Sequence, residues 1–167
     1  MVDRRLRPTL AQLRPDTIAT ISGTVQDIRA PAPRTRQPWR VTLADGTGQL
    51  ELAFFSKWQA EKVVPGESIA ASGKVERFGE RLCMTSPDYL LPARSADRIP
   101  GLDPVWPLTA GLFAGNVRSA MTAALTRLPA SLPEWHEAPL IKKKGWPDFI
   151  TALTWMHFPD RIPGSEA

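Results

Sequence analysis

The chain has 167 residues, of which 43% are hydrophobic, and this length suffices for one core or for one small domain with an appendage. Lysine and arginine total 21 against 17 acidic residues, so the net charge of +4 favours a polyanionic partner without requiring one. The single cysteine, Cys83, excludes a disulfide framework and a cysteine-based metal site. No apolar run approaches the roughly 20 residues of a membrane span, and the amino terminus lacks a signal-peptide core, so we expect a cytoplasmic protein with no membrane contact.

The positive charge is concentrated near the amino terminus. Residues 1–40 contain eight arginines and three acidic residues. These arginines flank the start of the predicted sheet, where they favour contact with phosphates. A solvated basic surface is the structural alternative.

The first predicted element is a strand over residues 17–28, in which apolar positions alternate with polar ones around Gly23. A glycine inside a strand is typical of a bulge or of the sharp coiling of a small barrel. Residues 29–38 contain three prolines and three arginines, and they predict a loop.

A hairpin is predicted over residues 38–58, with Asp45 and Gly46 at its turn. Apolar residues alternate on both sides of this turn, which places Phe54 in the core. Because side chains in a strand point alternately to opposite faces, Phe55 must point outward, and Trp58 follows in a polar setting. An exposed ring in a basic β-domain predicts a stacking platform for nucleic-acid bases.

The remaining elements complete a small barrel. A short helix is predicted over 57–64, a fourth strand with Gly73 over 68–78, and a fifth strand over 81–86, which Pro87 terminates. Five strands with a helix between the third and fourth predict a mainly β protein with a five-stranded Greek-key OB-fold barrel.

The rest of the chain predicts an extended strap and a helical region. Residues 87–107 contain five prolines and little periodicity. Apolar residues recur at helical spacing from Val117 to Leu128, and again from Ile150 to Met156. We therefore divide the chain into an OB-fold domain (1–91), a proline-rich strap (92–113) and a small carboxy-terminal helical region (114–167). The helices would cap the barrel or dock on a further domain.

Catalytic constellations are not found in the sequence. It has no GxxxxGK[ST] phosphate loop, no GxSxG motif and no paired histidines at metal spacing. His136 and His157 lie far apart, and His157 at a helix end suits a structural role. We predict no intrinsic catalysis, no metal and no cofactor in this chain.

The nucleic-acid interpretation assigns roles to particular residues. Stacking on bases is expected from Phe55 and Trp58, and phosphate contacts from cations in or near the hairpin and the preceding loop: Arg34, Arg36, Arg40 and Lys57. The alternatives are that Phe55 packs under the helical region and that Trp58 pins the short helix to the barrel. The cluster Lys142–Lys144 is predicted to lie solvated in a loop.

A family resemblance spans almost the entire chain. Its motifs are DRRLRPTLAQL, ISGTV, RVTLADGTGQLELAFF, GESIAASGKVERFG, MTSPDY, PVWPLTAGL and the terminal ALTWMHFP. Together these resemble the wedge region of RecG, a family of bacterial ATP-dependent DNA helicases that remodel stalled forks and recombination intermediates.

The resemblance implies that the chain is a fragment, followed in the parent protein by helicase motor domains that use ATP and Mg²⁺. It implies binding to branched DNA (replication forks and four-way junctions) and to single-stranded DNA at the junction. It also implies that aromatic residues after the third strand stack on exposed bases. The matching positions are Phe54 and Phe55, with Trp58 where the family often has tyrosine.

Two other functions stay open from the residues. One is an OB-fold module that binds protein through its strap and helices, and the other is an RNA-binding OB-fold of the translation apparatus. The second accounts for the five strands but not for the ALTWMHFP ending.

Overall fold

The structure is a computed structural model, which describes residues 1–159. The chain divides into two compact units, Asp3–Gly101 and a second formed by Met1–Val2 with the residues from Leu102 onward. The first unit therefore includes residues 92–101, which the sequence analysis assigned to the strap. They belong with the barrel because a strand of its sheet ends at Pro92 and a 3-10 helix follows directly at Ala93–Arg98.

The first unit contains most of the strands. They are β1 (Val2–Asp3, whose first residue belongs to the second unit), β2 (Ile18–Arg29), β3 (Trp39–Ala44), β4 (Gln49–Phe54), β5 (Ser68–Phe78), β6 (Arg81–Thr85) and β7 (Tyr89–Pro92). A short helix, α1 (Lys57–Ala60), lies between β4 and β5, and 3-10 helices cover Leu10–Gln12 and Ala93–Arg98.

The sheet order is β2-β3-β4-β6-β5-β7, and β2 also pairs with β5, so the sheet curls back on itself. All pairs are antiparallel except β4 with β6. Strands β2 to β6 with α1 between β4 and β5 confirm the predicted OB-fold. Strand β7 is a sixth strand that the sequence analysis did not predict, and it pairs with β5.

The core lies inside this curled sheet and follows the period of two along the strands. Its largest fully buried apolar side chains from the strands are Phe54, Ile21, Leu43, Leu50, Leu52, Met84, Val25, Val41 and Val75, and Ile99 after the second 3-10 helix is also fully buried. A Cβ at Gly73 would lie 3.1 Å from Met84 Sδ and 3.2 Å from Pro87 Cα. This glycine therefore permits the close approach of β6 and the segment after it.

The second unit contains the short strand β8 (Leu102–Asp103) and three helices, α2 (Ala114–Leu125), α3 (Ala138–Lys144) and α4 (Phe149–His157). The two predicted helices correspond to α2 and α4. The prediction of a loop at Lys142–Lys144 was wrong, because these lysines form the last turn of α3. Signals for α3 are visible in the sequence, since Pro139 lies in its first turn and Gly145 ends it in a left-handed conformation.

No helix within residues 1–159 combines the length and the hydropathy that crossing a lipid bilayer would require.

Candidate nucleic-acid interface

Two adjacent phenylalanines at the end of β4 have opposite environments. Phe54 pairs with Trp39 of β3 and is only 1% exposed, whereas Phe55 is 66% exposed. The predicted alternation is confirmed. The assignment of Phe54 to base stacking is corrected, because a ring enclosed in the core presents no face to a base.

Trp58 lies in the first turn of α1, three residues after Phe55, and is 65% exposed. This exposure contradicts the alternative in which Trp58 pins the short helix to the barrel. Phe55 is likewise exposed within the first unit, and its packing under the helical region, which belongs to the second unit, stays a prediction. Lys62 Nζ lies 3.3 Å from the centroid of the Trp58 ring, a cation–π contact. Sequence analysis did not identify Lys62, although its spacing of i, i+4 from a helical Trp58 is a usable signal.

Two of the cations predicted to contact phosphates form ion pairs, Lys57 and Arg40. Lys57 Nζ lies 3.2 Å from Glu61 Oε1. Arg40 Nη1 donates to Glu51 Oε1 at 2.5 Å, and Arg40 pairs in register with Ala53, two residues before Phe55. Both positive charges are thus partly balanced by carboxylates, which sequence reasoning did not anticipate.

Arg34 and Arg36 lie in the loop between β2 and β3 and are exposed. The loop contains a turn in which Thr35 N–H donates to Ala32 O at 3.2 Å, and Arg34 has a φ of 63°. The structure therefore groups Phe55, Lys57 and Trp58 at the β4–α1 corner, while Arg34 and Arg36 belong to a separate loop.

Asp45 holds the β3–β4 hairpin that positions the corner. Its carboxylate accepts hydrogen bonds from the backbone N–H groups of Leu10 (2.8 Å), Thr47 (2.8 Å) and Gly48 (3.1 Å), and from the Thr47 hydroxyl at 2.7 Å. These donors, the Leu10 N–H above all, lower the pKa of Asp45 to about 2. The hairpin is thereby attached to the 3-10 turn at Leu10–Gln12.

The cysteine, the second histidine and a partly buried ion pair lie outside this corner. Burial raises the pKa of the Cys83 thiol, which disfavours the reactive thiolate. In the second unit, Trp106 Nε1 donates to His157 Nδ1 at 3.4 Å, and Arg118 forms an ion pair with Asp103. Across residues 1–159, no three His, Cys, Asp or Glu side chains are grouped as metal ligands would be.

Comparison with known proteins finds a family that matches the barrel and relatives that match most of the chain. The family described as OB-fold nucleic acid binding domain matches residues 19–90. The ATP-dependent DNA helicase RecG of Pasteurella multocida (strain Pm70) is 30% identical over 75% of this chain and 19% of its own length. That of Synechocystis sp. is 26% identical over 95% of this chain and 21% of its own length.

A solved structure agrees with the sequence comparison. A RecG structure described as bound to a three-way DNA junction superposes with a TM-score of 0.76 at 20% identity, over 94% of this chain and 22% of that one. The chain thus spans about a fifth of the length of these relatives. The resemblance predicted from the motifs is confirmed: this chain is similar to RecG and shares the fold of its wedge region, and residues 19–90 match the family described as OB-fold nucleic acid binding domain.

Proposed function

We propose that this chain binds branched DNA, such as replication forks and four-way junctions, and places exposed rings against single-stranded bases at the branch point. The observation that carries the proposal is the pair of exposed rings, Phe55 and Trp58, at the end of a strand of an OB-fold. The similarity to a RecG structure whose description includes a three-way DNA junction supports the choice of branched DNA.

The chemistry of the corner suits binding that is independent of base sequence. Every base has a π-face, and stacking on an aromatic side chain contributes about 1–3 kcal/mol per base. Lys62 already lies over one face of Trp58, so a base stacks on the opposite face while the ammonium group meets a phosphate. Arg34 and Arg36 would hold a template backbone, and Arg40 and Lys57 would do so if they exchange a carboxylate for a phosphate.

We also propose that the whole protein is an ATP-dependent DNA helicase. Its motor domains would supply the chemistry with ATP and Mg²⁺, while this region would supply junction binding. A bacterial helicase that acts on chromosomal DNA would lie in the cytoplasm. The similarity to two proteins named ATP-dependent DNA helicase RecG supports this assignment.

The helical unit suggests a protein partner in addition to DNA. Large apolar residues of this unit are exposed, among them Trp135, Trp146 and Met156. No residue of α2, α3 or α4 is buried within the described part of the chain. We propose that this unit docks against the motor domains of the parent protein. A module that bound only protein would show no preference among DNA structures.

The test of DNA binding compares fork, four-way junction, single strand and duplex of equal length by gel shift and fluorescence anisotropy. We expect fork and junction to bind more tightly than duplex. Equal affinity for all four would contradict a branch-point function, and preferential binding of structured RNA in competition would favour the RNA-binding alternative.

The test of stacking replaces both rings, in the variant Phe55→Ala with Trp58→Ala. We expect fork affinity to fall by about five-fold or more, since loss of one stacked base costs about 1 kcal/mol at least. The melting temperature should stay close to that of the parent because both rings are exposed. The matched control is Phe113→Ala with Trp135→Ala, which removes an exposed Phe and an exposed Trp from the second unit. An equal loss in both variants would refute stacking at the corner.

A further inference from the structure

A pocket lined by arginines lies at the amino-terminal end of β2, and it contains none of the residues assigned to DNA binding above. Its volume is about 570 Å³, and its polar lining residues are Arg5, Arg7, Gln12, Arg14 and Thr17. Among the described residues that form this lining, none is acidic and none is aromatic. We call this site the arginine pocket.

The backbone that carries these arginines is held by the barrel. Thr20 of β2 fixes it twice, since its N–H donates to Leu6 O at 2.9 Å and its hydroxyl donates to Arg4 O at 3.0 Å. Farther along the segment, the Thr17 hydroxyl donates to Arg14 O at 2.7 Å. The pocket is therefore formed before a ligand arrives, which lowers the entropy cost of binding.

The three guanidinium groups are not equally balanced by acidic residues. Arg5 forms an ion pair with Asp3, in which Nη2 lies 2.8 Å from Oδ2. Arg7 Nη2 donates to the backbone carbonyl of Ala96 at 3.3 Å, which orients the guanidinium without neutralising it. The Arg14 side chain is exposed and has no hydrogen bond or ion pair with another described residue. Two positive charges thus remain for a ligand.

The chemistry of this lining suits a phosphate. A guanidinium presents five N–H donors in a planar fork that matches two phosphate oxygens, and Arg7 uses only one of its nitrogens on the barrel. The Gln12 amide and the Thr17 hydroxyl are further polar groups of the kind that contact phosphates. Because the described lining offers no ring on which a base can stack, the pocket suits the backbone of DNA rather than its bases.

The arginine pocket and the loop that carries Arg34 and Arg36 lie at opposite ends of β2. Thr17 directly precedes this strand, and the loop follows its last residue, Arg29. The 12 residues of the strand span about 40 Å along its curved path. A duplex carries one charge per ~1.7 Å of its axis, about twice the density of a single strand, so a site that recognises charge alone favours duplex.

We propose that the arginine pocket binds the phosphodiester backbone of a duplex arm, while the exposed rings of the β4–α1 corner meet unpaired bases at the branch point. This inference rests on the proposed function, since it assigns the duplex part of the same branched DNA to a second place on the barrel. Simultaneous contact at two places favours a branched molecule over duplex or single strand alone.

The salt dependence of duplex binding tests the pocket. A fluorescein-labelled duplex without a branch is titrated with the full chain at several salt concentrations, and binding is followed by anisotropy. We expect Arg7→Gln with Arg14→Gln to reduce the slope of log affinity against log salt by about 1.8, because each phosphate contributes about 0.9. Arg7→Lys with Arg14→Lys should keep most of the slope, since the charge is retained.

Two further variants control for folding and for net charge. Arg14→Gln alone removes a side chain without a described polar partner, so the fold should be unaffected while the slope falls by about 0.9. Lys143→Gln with Lys144→Gln, in the last turn of α3, is the charge-matched control. An unchanged duplex slope in Arg7→Gln with Arg14→Gln, or an equal fall in the lysine control, would overturn the proposal.

Failure of the pocket is distinguishable from failure of the proposed function. If Phe55→Ala with Trp58→Ala weakens fork binding but the arginine variant keeps the duplex slope of the parent, only the pocket is overturned. If the duplex slope falls in the arginine variant while the ring variant binds fork like the parent, the pocket is supported and stacking at the corner is overturned.

Chemical modification of arginine provides a readout that does not depend on any variant. Phenylglyoxal reacts with accessible guanidinium groups, and mass spectrometry locates the modified residues. We expect duplex to protect Arg7 and Arg14, whereas Arg127, which is exposed after α2, should stay reactive. Equal modification of Arg14 with and without duplex would overturn the proposal.

Discussion

Phe54 and Phe55 differ only in the side of β4 on which they lie, and this difference separates stability from binding. Phe54 packs with the core residues of β3 and β4, while Phe55 contacts mostly solvent. The distinction follows from strand alternation alone, and it yields a direct comparison of two single substitutions.

We expect Phe54→Ala to lower the free energy of unfolding by about 3–5 kcal/mol, because it leaves a cavity in a packed core. Phe55→Ala should change the free energy of unfolding by less than about 0.5 kcal/mol. Urea unfolding followed by fluorescence measures both. A large loss for Phe55→Ala would mean that its ring is part of the fold rather than of a binding surface.

Asp45 makes stability depend on pH in a defined window. Its folded pKa of about 2 lies below its usual value of 3.8, so its stabilising effect is complete above about pH 4. That effect is lost as the pH falls from about 4 toward 2, because the carboxylate becomes protonated. The stability difference between parent and Asp45→Asn should therefore be constant from pH 7 to 5 and shrink below pH 4. A constant difference down to pH 2 would contradict this role.

At the scale of elements, β7 is held to the barrel by a buried arginine from the start of the chain. Arg4 is only 4% exposed, donates to Asp88 Oδ2 at 2.9 Å and to Ser72 Oγ at 3.2 Å, and lies 5.0 Å from the Tyr89 ring centroid. Asp88 and Tyr89 precede and begin β7, and Ser72 lies opposite on β5. The amino-terminal segment thus fixes the edge strand.

We expect Asp88→Ala to destabilise the first unit by about 1–3 kcal/mol, because it removes a charged hydrogen-bond partner from a buried guanidinium. Asp27→Ala is the control, since Asp27 pairs with Arg29 at 2.7 Å in a solvent-exposed ion pair, which contributes little. The midpoint of urea unfolding measures both changes. Equal shifts of the midpoint in the two variants would show that the Asp88 carboxylate does not stabilise the buried Arg4 guanidinium.

The elements that local pattern predicted well are those whose neighbours in space are also neighbours in sequence. The β3–β4 hairpin and the β5–β6 hairpin are of this kind, and their registers agree with the alternation of apolar residues. Strand β7 was missed because Tyr89–Pro92 is short, contains a proline and pairs only along one edge. Helix α3 was missed because its triple lysine resembles a solvated loop.

At the scale of the whole molecule, charge should govern how affinity responds to salt. Neutralising each phosphate contributes a slope of about 0.9 in log affinity against log salt for duplex and about 0.7 for single strands. We expect Arg34→Gln with Arg36→Gln to reduce the slope for fork DNA by roughly 1.4–1.8 if both arginines meet phosphates. Lys143→Gln with Lys144→Gln, in α3, is the charge-matched control. An unchanged slope in the arginine variant would exclude the loop from the interface.

The sequence by itself determined the order of the barrel strands, the burial of Phe54 and the exposure of Phe55, because strand alternation and turn residues act over a few positions. Its motifs also predicted the resemblance to RecG. The tertiary structure alone decided that the Arg40 guanidinium lies near the Phe78 ring and that Arg4 is buried against β7. These contacts join residues far apart in the chain, so they arise only when the barrel brings the strands together.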